Sequence, residues 1–447
     1  MTITLRLFVV LTMLASSARV AMGQVNSAGR AEDAQHAGEP TYEGAPLTLS
    51  AALDEALARN PMLMAARLEF ESMKQRRAQE GFLAAPTLEA QIWQWPLDSI
   101  NPLNTNMYMF TAMQEIPGSG KRALRAAVVD KDVARASNEI ATRALEVLNE
   151  VKRAYADLFI SRQAVVVHRA SADLLRQTAD LTMARYGTGR GAQRDALQAV
   201  LEISRLHSDL VMLDERVQLA TVALNALLNR LSDAPIGDVS AGGDDVALPP
   251  ASELQRMAIA LHPELLGARI DVERAEAALA VANRDYKPDF MVGGGYQLMP
   301  RTPGAWTATV SMTWPTAPWA RGRLDAAKAA AVADIAAAEA RQLVVANAIA
   351  LAVQQAYVRV TSARARVLVL RTSLIPQAQQ MVEAARIAYE GNRGDAMGIV
   401  ENQRMALDAQ LEYFRAMSDL QQARADLERA VGASLPRPSA TVAQEVR

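Results

Sequence analysis

The chain repeats itself at an interval of 202 residues, and this duplication limits its possible folds more than any local motif does. Pro61, Leu63, Arg67, Glu71, Pro86, Gly120, Val151, Tyr155, Arg169 and Ser171 recur without a gap at Pro263, Leu265, Arg269, Glu273, Pro288, Gly322, Val353, Tyr357, Arg371 and Ser373. After one extra residue the register continues at 203, pairing Tyr186 with Tyr389, Gly191 with Gly394 and Leu224 with Leu427. Alanine matches carry little weight in an Ala-rich chain, whereas repeated Pro, Gly and Tyr mark positions with backbone or packing demands. A period this long is a duplicated domain-sized unit, not a solenoid array. The 447 residues therefore divide into two halves of one fold.

Only 5% of the chain is aromatic, and Ala, Leu, Arg, Glu and Gln dominate, which is the composition of long helices. A formal charge of -2 leaves no basic excess for a phosphate backbone, so nucleic acid is not an expected partner. Residues 1–23 read as a secretory signal peptide: Arg6, an apolar run over 7–15, then Ala21 and Gly23 before Gln24. Cleavage there removes Arg6 and Arg19 and takes the mature chain from -2 to -4. No later stretch is expected to be a transmembrane helix, which leaves an exported chain either soluble or built into a β-barrel. The sequence contains no cysteine, excluding disulfides, thiolate chemistry and acylation of an N-terminal Cys.

The expected organisation is a disordered leader over 24–46, a first structural repeat over 47–231, and a linker over 232–250. A second repeat follows over 251–432, then a loose tail over 433–447. In the first repeat, Leu49, Leu53 and Leu57 fall at helical spacing with Ser50 as the candidate cap. Pro61 opens a second helix to about Ala84, and the matching stretch after the linker runs over 251–286 with its break at Pro263. Two extended segments, about 87–97 and 107–116, precede a helix without internal Pro over 120–186. At about 1.5 Å per residue that helix approaches 100 Å, longer than a globular core needs. A Gly-rich turn over 187–191 and a return helix to about Leu231 complete the unit. The second half copies it: strands about 289–299 and 305–314, a helix over 322–390 kinked only at Pro376, a turn over 391–394, and a return helix to Val431.

The sharpest local pattern is 306–314, where Trp306, Ala308, Val310, Met312 and Trp314 alternate with Thr307, Thr309, Ser311 and Thr313. A strict period of two with apolar and hydroxyl faces is a strand between two media. In a transmembrane barrel Trp306, Val310, Met312 and Trp314 would face lipid, with the two Trp as interfacial girdles. Phe290, Val292, Tyr296 and Leu298 line one face of the preceding strand, Gly295 and Gln297 the other. Trp93 and Trp95 share a face with Leu97, while 107–114 alternates less cleanly. Four strands cannot close a pore, so such a barrel is shared among subunits.

No catalytic or cofactor-binding pattern stands out. Gly118-Ser119-Gly120-Lys121 lacks both the first Gly and the hydroxyl of a phosphate loop, since Glu115 and Arg122 occupy those positions. Histidines at 36, 168, 207 and 262 have no paired metal spacing. Met107, Met109, Met113, Met291, Met299 and Met312 near the strands are soft-metal donors in principle, and read first as lipid-facing or packing side chains. The chain is not expected to be an enzyme.

The order of helices, strand pair, long helical hairpin and linker, twice over, resembles the TolC-type outer-membrane efflux family. The residues that carry the resemblance are Asn60-Pro61 and His262-Pro263, Pro86 and Pro288, Ile116-Pro117 followed by Gly120-Lys121-Arg122, and 186–197 at the hairpin turn. It covers about 47–432 and implies a mainly α homotrimer: an α-barrel tunnel through the periplasm and a shared twelve-stranded barrel in the outer membrane, four strands per chain. It also implies a periplasmic adaptor docked at the tips, Tyr186, Gly187, Thr188, Gly189, Tyr389, Gly391 and Asn392, and an inner-membrane pump of the resistance-nodulation-division type. No cofactor is implied. Tyr186, Gly189, Asp195 and Leu197 match the family's Tyr-x-x-Gly-x5-Asp-x-Leu pattern, which makes Asp195 a candidate gate residue. The second half departs, with Gly398 where a second carboxylate would stand. Gln114-Glu115-Ile116-Pro117 with Gly120-Lys121-Arg122 looks most like the heavy-metal branch. A drug-efflux or type I protein-secretion conduit is the alternative within the family. A soluble periplasmic coiled-coil adaptor, the alternative outside it, should lack Trp-bounded strands.

Overall fold

Each half begins with two short helices hinged at an X-Pro step. α1 (Leu49–Arg59) ends at Asn60 and α2 (Pro61–Gln79) starts on Pro61, whose missing N–H costs nothing at a helix start. The second half repeats this in α5 (Ala251–Leu261) and α6 (Pro263–Arg284) around His262. The computed structural model describes residues 42–93, 101, 105–189, 192–240, 248–299, 302–391 and 393–435. The expected signal peptide, most of the leader, Trp95, Leu97, Gly191, Asn392 and the end of the tail lie outside these residues.

Strands β1 (Thr87–Trp93) and β2 (Met107–Ile116) lead into α3 (Lys121–Gly187), whose 67 residues reach about 100 Å. α4 (Gln193–Leu227) returns alongside it. The second half gives β3 (Phe290–Leu298), β4 (Ala305–Met312), α7 (Arg321–Val369), α8 (Ile375–Glu390) and α9 (Ala396–Val431). The four strands form one antiparallel sheet in the order β1-β2-β3-β4. The β2–β3 pair joins the two halves directly.

Equivalent residues of the two halves occupy equivalent cores. Leu63, Val151, Leu158 and Leu224 are fully buried in one cluster, and Leu265, Val353, Val360 and Leu427 in another. Burial of each such side chain contributes about 1.5–3 kcal/mol. Between the halves α3 packs on α9 through a polar seam, in which Asn149 donates to Asp426 at 3.1 Å and Gln422 donates to Asp157 at 2.8 Å.

Several expectations need correction. α1 is capped by Thr48, not Ser50: the Thr48 hydroxyl accepts from Ala51 N at 3.2 Å, and Ser50 bonds to that hydroxyl. α2 stops at Gln79, short of Ala84. The last residues of the expected leader belong to the fold. Tyr42 lies under the Arg162 guanidinium at 3.7 Å, Leu47 bridges Val239, and the buried Arg162 donates to the carbonyls of Ile236 and Gly237. Gly44 and Gly237 stand where the two segments approach each other's backbone too closely for a Cβ. The helical stretch Arg321–Glu390 is also long and apolar enough to cross a membrane by length and composition, contrary to expectation. Its apolar residues point both inward, at Val353, Ala356 and Val360, and outward, at Leu351 and Val358.

The kink expected at Pro376 is a π-helical turn, Leu370–Leu374, immediately ahead of the proline. Proline brings no N–H for the carbonyl four residues back, and a widened turn relieves the clash of its ring. The change of repeat register from 202 to 203 falls between Ser373 and Tyr389, so this turn lies where the second half takes in its extra residue.

Candidate functional site

Two regions carry the candidate residues: the hairpin tips at one end and the sheet at the other. At the first tip Gly189 adopts φ +69°, a left-handed conformation that favours glycine, and its N–H bonds to the Tyr186 carbonyl at 2.9 Å. The Thr188 hydroxyl donates to the Arg185 carbonyl at 3.0 Å, closing the end of α3. Tyr186, Gly187, Thr188 and Gly189 are all exposed. At the second tip Gly391 is exposed, but Tyr389 is only 4% exposed, packed with Ala396 and Ile399. Repeat-equivalent tyrosines thus do different jobs.

The tip joint is built on Arg185. Its guanidinium lies 4.2 Å from the centre of the Tyr389 ring and donates to the carbonyls of Tyr389 at 2.8 Å and Glu390 at 3.2 Å. Those carbonyls end α8, where a cation meets both orphan acceptors and the negative end of the helix dipole. The position equivalent to Arg185 in the second half is Ala388, so this clasp has no counterpart.

Asp195 sits in the first turn of α4, with one oxygen 3.9 Å from Arg194 Nε and no hydrogen-bond partner on it. Its helix has Ala192 at the cap position and no side-chain cap. The second half reverses this arrangement. Asp395, equivalent to Ala192, caps α9 by accepting from Gly398 N at 3.0 Å, and Gly398 stands opposite Asp195 in the alignment. The second carboxylate is therefore displaced by one turn and engaged with backbone, rather than simply missing.

The register sorts the sheet into two faces, because directly paired residues point the same way. Leu88, Phe110, Val292, Tyr296, Leu298, Trp306, Val310 and Met312 share one face. The Tyr296 and Trp306 rings meet on it at 5.1 Å. Glu89, Gln91, Thr111, Glu115, Gln297, Thr307, Thr309 and Ser311 share the other. Trp314 lies beyond the end of β4 and packs edge-on against Trp319 at 6.0 Å, so the aromatic group at that end is a pair. Trp319 was not singled out from the sequence; its Pro-flanked position hides its nearness to Trp314. Met312 is on the apolar face, whereas Met107, Met109, Met113 and Met291 lie on the polar one.

Gly118-Ser119-Gly120-Lys121, which fails as a phosphate loop, joins the sheet to the helices. Lys121 is 2% exposed and its Nζ lies 2.8 Å from Asp289 Oδ2 and 3.8 Å from Asp285. Asp289 Oδ1 accepts from Gly118 N at 2.7 Å, and Gly118 leaves no room for a Cβ against the Pro288 carbonyl. Among the described residues no group of three or more His, Cys, Asp or Glu is arranged to hold a metal ion.

A four-stranded sheet with one apolar and one polar face, rooted in two repeated helical hairpins, is the architecture of an outer-membrane channel protein. The chain belongs to the outer membrane efflux protein family, whose profile matches residues 52–230 and 254–433. It is an outer-membrane protein with a large periplasmic helical part, and the family is a class of ducts, not of enzymes. The cobalt-zinc-cadmium resistance protein CzcC of Cupriavidus metallidurans is 24% identical over 397 residues, covering 88% of this chain and 92% of that one. The open-state outer-membrane channel MtrE of Neisseria gonorrhoeae superposes with a TM-score of 0.71 at 18% identity, over 87% of this chain and 89% of that one. The transmembrane channel CusC superposes with a TM-score of 0.71 at 15% identity, over 86% of this chain and 92% of that one.

Proposed function

We propose that the chain is the outer-membrane component of a tripartite efflux system, a passive exit duct for heavy-metal cations. Three copies pool their sheets into a twelve-stranded barrel and their hairpins into a twelve-helix tunnel. The observation that carries this reading is the open sheet: β1 and β4 are each paired on one side only among the described strands, while the two faces suit different media. Such edges are closed by further copies or they aggregate. The exposed tip residues Tyr186, Gly187, Thr188, Gly189 and Gly391 are the surface offered to a periplasmic adaptor, which links the duct to a resistance-nodulation-division pump. The cargo class rests on the resistance to cobalt, zinc and cadmium named for CzcC and on the Gln114-Glu115-Ile116-Pro117 segment.

The test is deletion of the gene in its host, with cell-associated cobalt, zinc and cadmium measured by mass spectrometry beside accumulation of a hydrophobic dye. Retention of the cations, reversed by the wild-type chain, is the expected result. Retention of dye alone would favour the drug-efflux alternative instead.

A further inference from the structure

The polar face of the sheet is unusual in what fills it. From the helical end outward it presents Met291 beside Glu115, then Met113 across from Gly293, then Thr111 with Glu89, then Met109 between Gln91 and Gln297, and finally Met107 beside Trp93. The side chains confirm the direction of this face. The Met113 Cγ lies over Gly293, 3.0 Å from where a Cβ would stand, and Gln297 Nε2 approaches the Met109 sulfur at 3.7 Å. Along the strand axis the four thioethers are spaced by about 7, 14 and 7 Å, at roughly 3.4 Å per residue. Met113 and Met291 are diagonal neighbours on adjacent strands, about 7 Å apart. No Lys or Arg stands in any of the four strands, and Glu89 and Glu115 are their only charged residues.

An apolar side chain on a water-facing wall gains nothing from burial there, and Leu or Val would serve packing against neighbours as well as Met does. Thioether sulfur differs in one respect: it is a soft donor that binds Cu(I) or Ag(I) and leaves K⁺, Mg²⁺ and Ca²⁺ alone. Carboxylates in a confined aqueous channel supply the complementary negative field. Conduction further requires sites weak and numerous enough to release what they bind. One thioether at each of four levels, repeated on every copy around a barrel, meets that condition.

The geometry points to a relay for soft monovalent cations on the inner wall of the barrel, formed by Met291, Met113, Met109 and Met107 with Glu115 and Glu89. Binding is by coordination alone, with no change of oxidation state. The inference rests on the duct reading above and adds soft monovalent cations to the cargo it serves.

The experiment uses the full-length protein in planar bilayers in chloride-free potassium nitrate, with silver nitrate as probe. Micromolar Ag⁺ is expected to reduce K⁺ conductance through the wild type. Replacing Met109, Met113 and Met291 together by Leu is expected to raise the half-blocking concentration about tenfold or more, because these sulfurs are the soft donors. Met312→Leu, on the lipid face, is expected to leave it unchanged, as is block by Zn²⁺ in the triple variant. Should the triple variant fail to assemble, Met113→Leu alone carries the same comparison. A wild type that conducts K⁺ but ignores Ag⁺, or Leu variants that are blocked like the wild type, overturns the relay and leaves the duct standing. A membrane-inserted protein that conducts nothing overturns the duct and the relay with it.

Discussion

Asn60 and His262, repeat-equivalent residues, cap equivalent helices with different chemistry. Asn60 Oδ1 accepts from Met62 N at 2.9 Å while its amide donates to the Leu227 carbonyl at 2.9 Å. His262 Nδ1 accepts from Glu264 N at 3.2 Å, and the imidazole also bonds to the backbone of Arg429. Only a neutral imidazole can accept at Nδ1. Burial holds the His262 pKa below its ordinary value, against the smaller opposing pull of Glu264 and of the Arg429 backbone; the Arg429 charge lowers it further.

This gives the first prediction, a pH dependence confined to one half. A depressed histidine pKa means the unfolded chain binds the extra proton more readily, so the stabilisation is complete above about pH 6.5 and is lost as pH falls through and below that value. Thermal unfolding of the wild type at pH 7.5 and 5.0 should show a larger loss than His262→Asn, which restores the insensitive cap of the first half. The difference should be on the order of 1 kcal/mol, the worth of one cap. Parallel pH profiles would show that His262 plays no such part.

The strand faces make the second prediction. Val310 is 76% exposed on the apolar face, and its neighbour Thr309 pairs with Gly293 on the polar one. Val310→Arg should impair insertion by about 2–4 kcal/mol near the bilayer midplane, while Thr309→Arg should be tolerated. Outer-membrane yield of folded protein decides between them, and equal damage from both would count against the assignment.

At the tips, Asp195 keeps an oxygen without a hydrogen-bond partner, whereas Asp395 is engaged by Gly398 N. Asp195→Asn should therefore lower cation preference, read as reversal potential across a salt gradient in planar bilayers. Gly398→Asp should raise it, though a Cβ there would lie 3.2 Å from the Asp395 carboxylate, and the two like charges would weaken the cap of α9. No movement of the reversal potential in either variant would return Asp195 to a purely helix-stabilising role.

The fourth prediction concerns Lys121. Removing it by Lys121→Met leaves Asp289 with the Gly118 N–H and the charge of Arg125, at a cost of about 3 kcal/mol, because an ion pair largely out of water loses one partner. The double variant Lys121→Met with Asp289→Leu should recover part of that loss. Chemical unfolding of the assembled protein measures both, and additive losses would contradict the pairing.

Much of this architecture was legible because its signals are local or repeated. The alternation over 306–314 reads directly as a strand with two faces, and repeated Pro and Tyr fix the halves. The methionine wall was not legible, since Met counts as apolar and blurs the alternation of 107–114. Only the pairing of Met113 with Gly293 and of Met109 with Gln297 shows which way those residues point. Lys121 gives no local hint of Asp289, 168 residues away, and Arg185 gives none of Tyr389. The caps were half legible: Asn60 and His262 align, but the chemical consequence of the exchange needs the bond to Glu264.

The wide turn at Leu370–Leu374 bears on how the second tip reaches the first. One surplus residue in a regular helix would turn everything beyond it by about 100° and push it along by about 1.5 Å. Tyr389 would then point away from Arg185, and the second tip would stand proud of the first. By bulging the surplus out of the helix, the turn keeps α8 in phase with its counterpart after the two halves have ceased to be equal in length. A single-residue deletion there would thus remove surplus and bulge together and leave the tip in phase, whereas a second inserted residue would act as a misalignment of the distant tip, leaving the cores around Val151 and Val353 untouched.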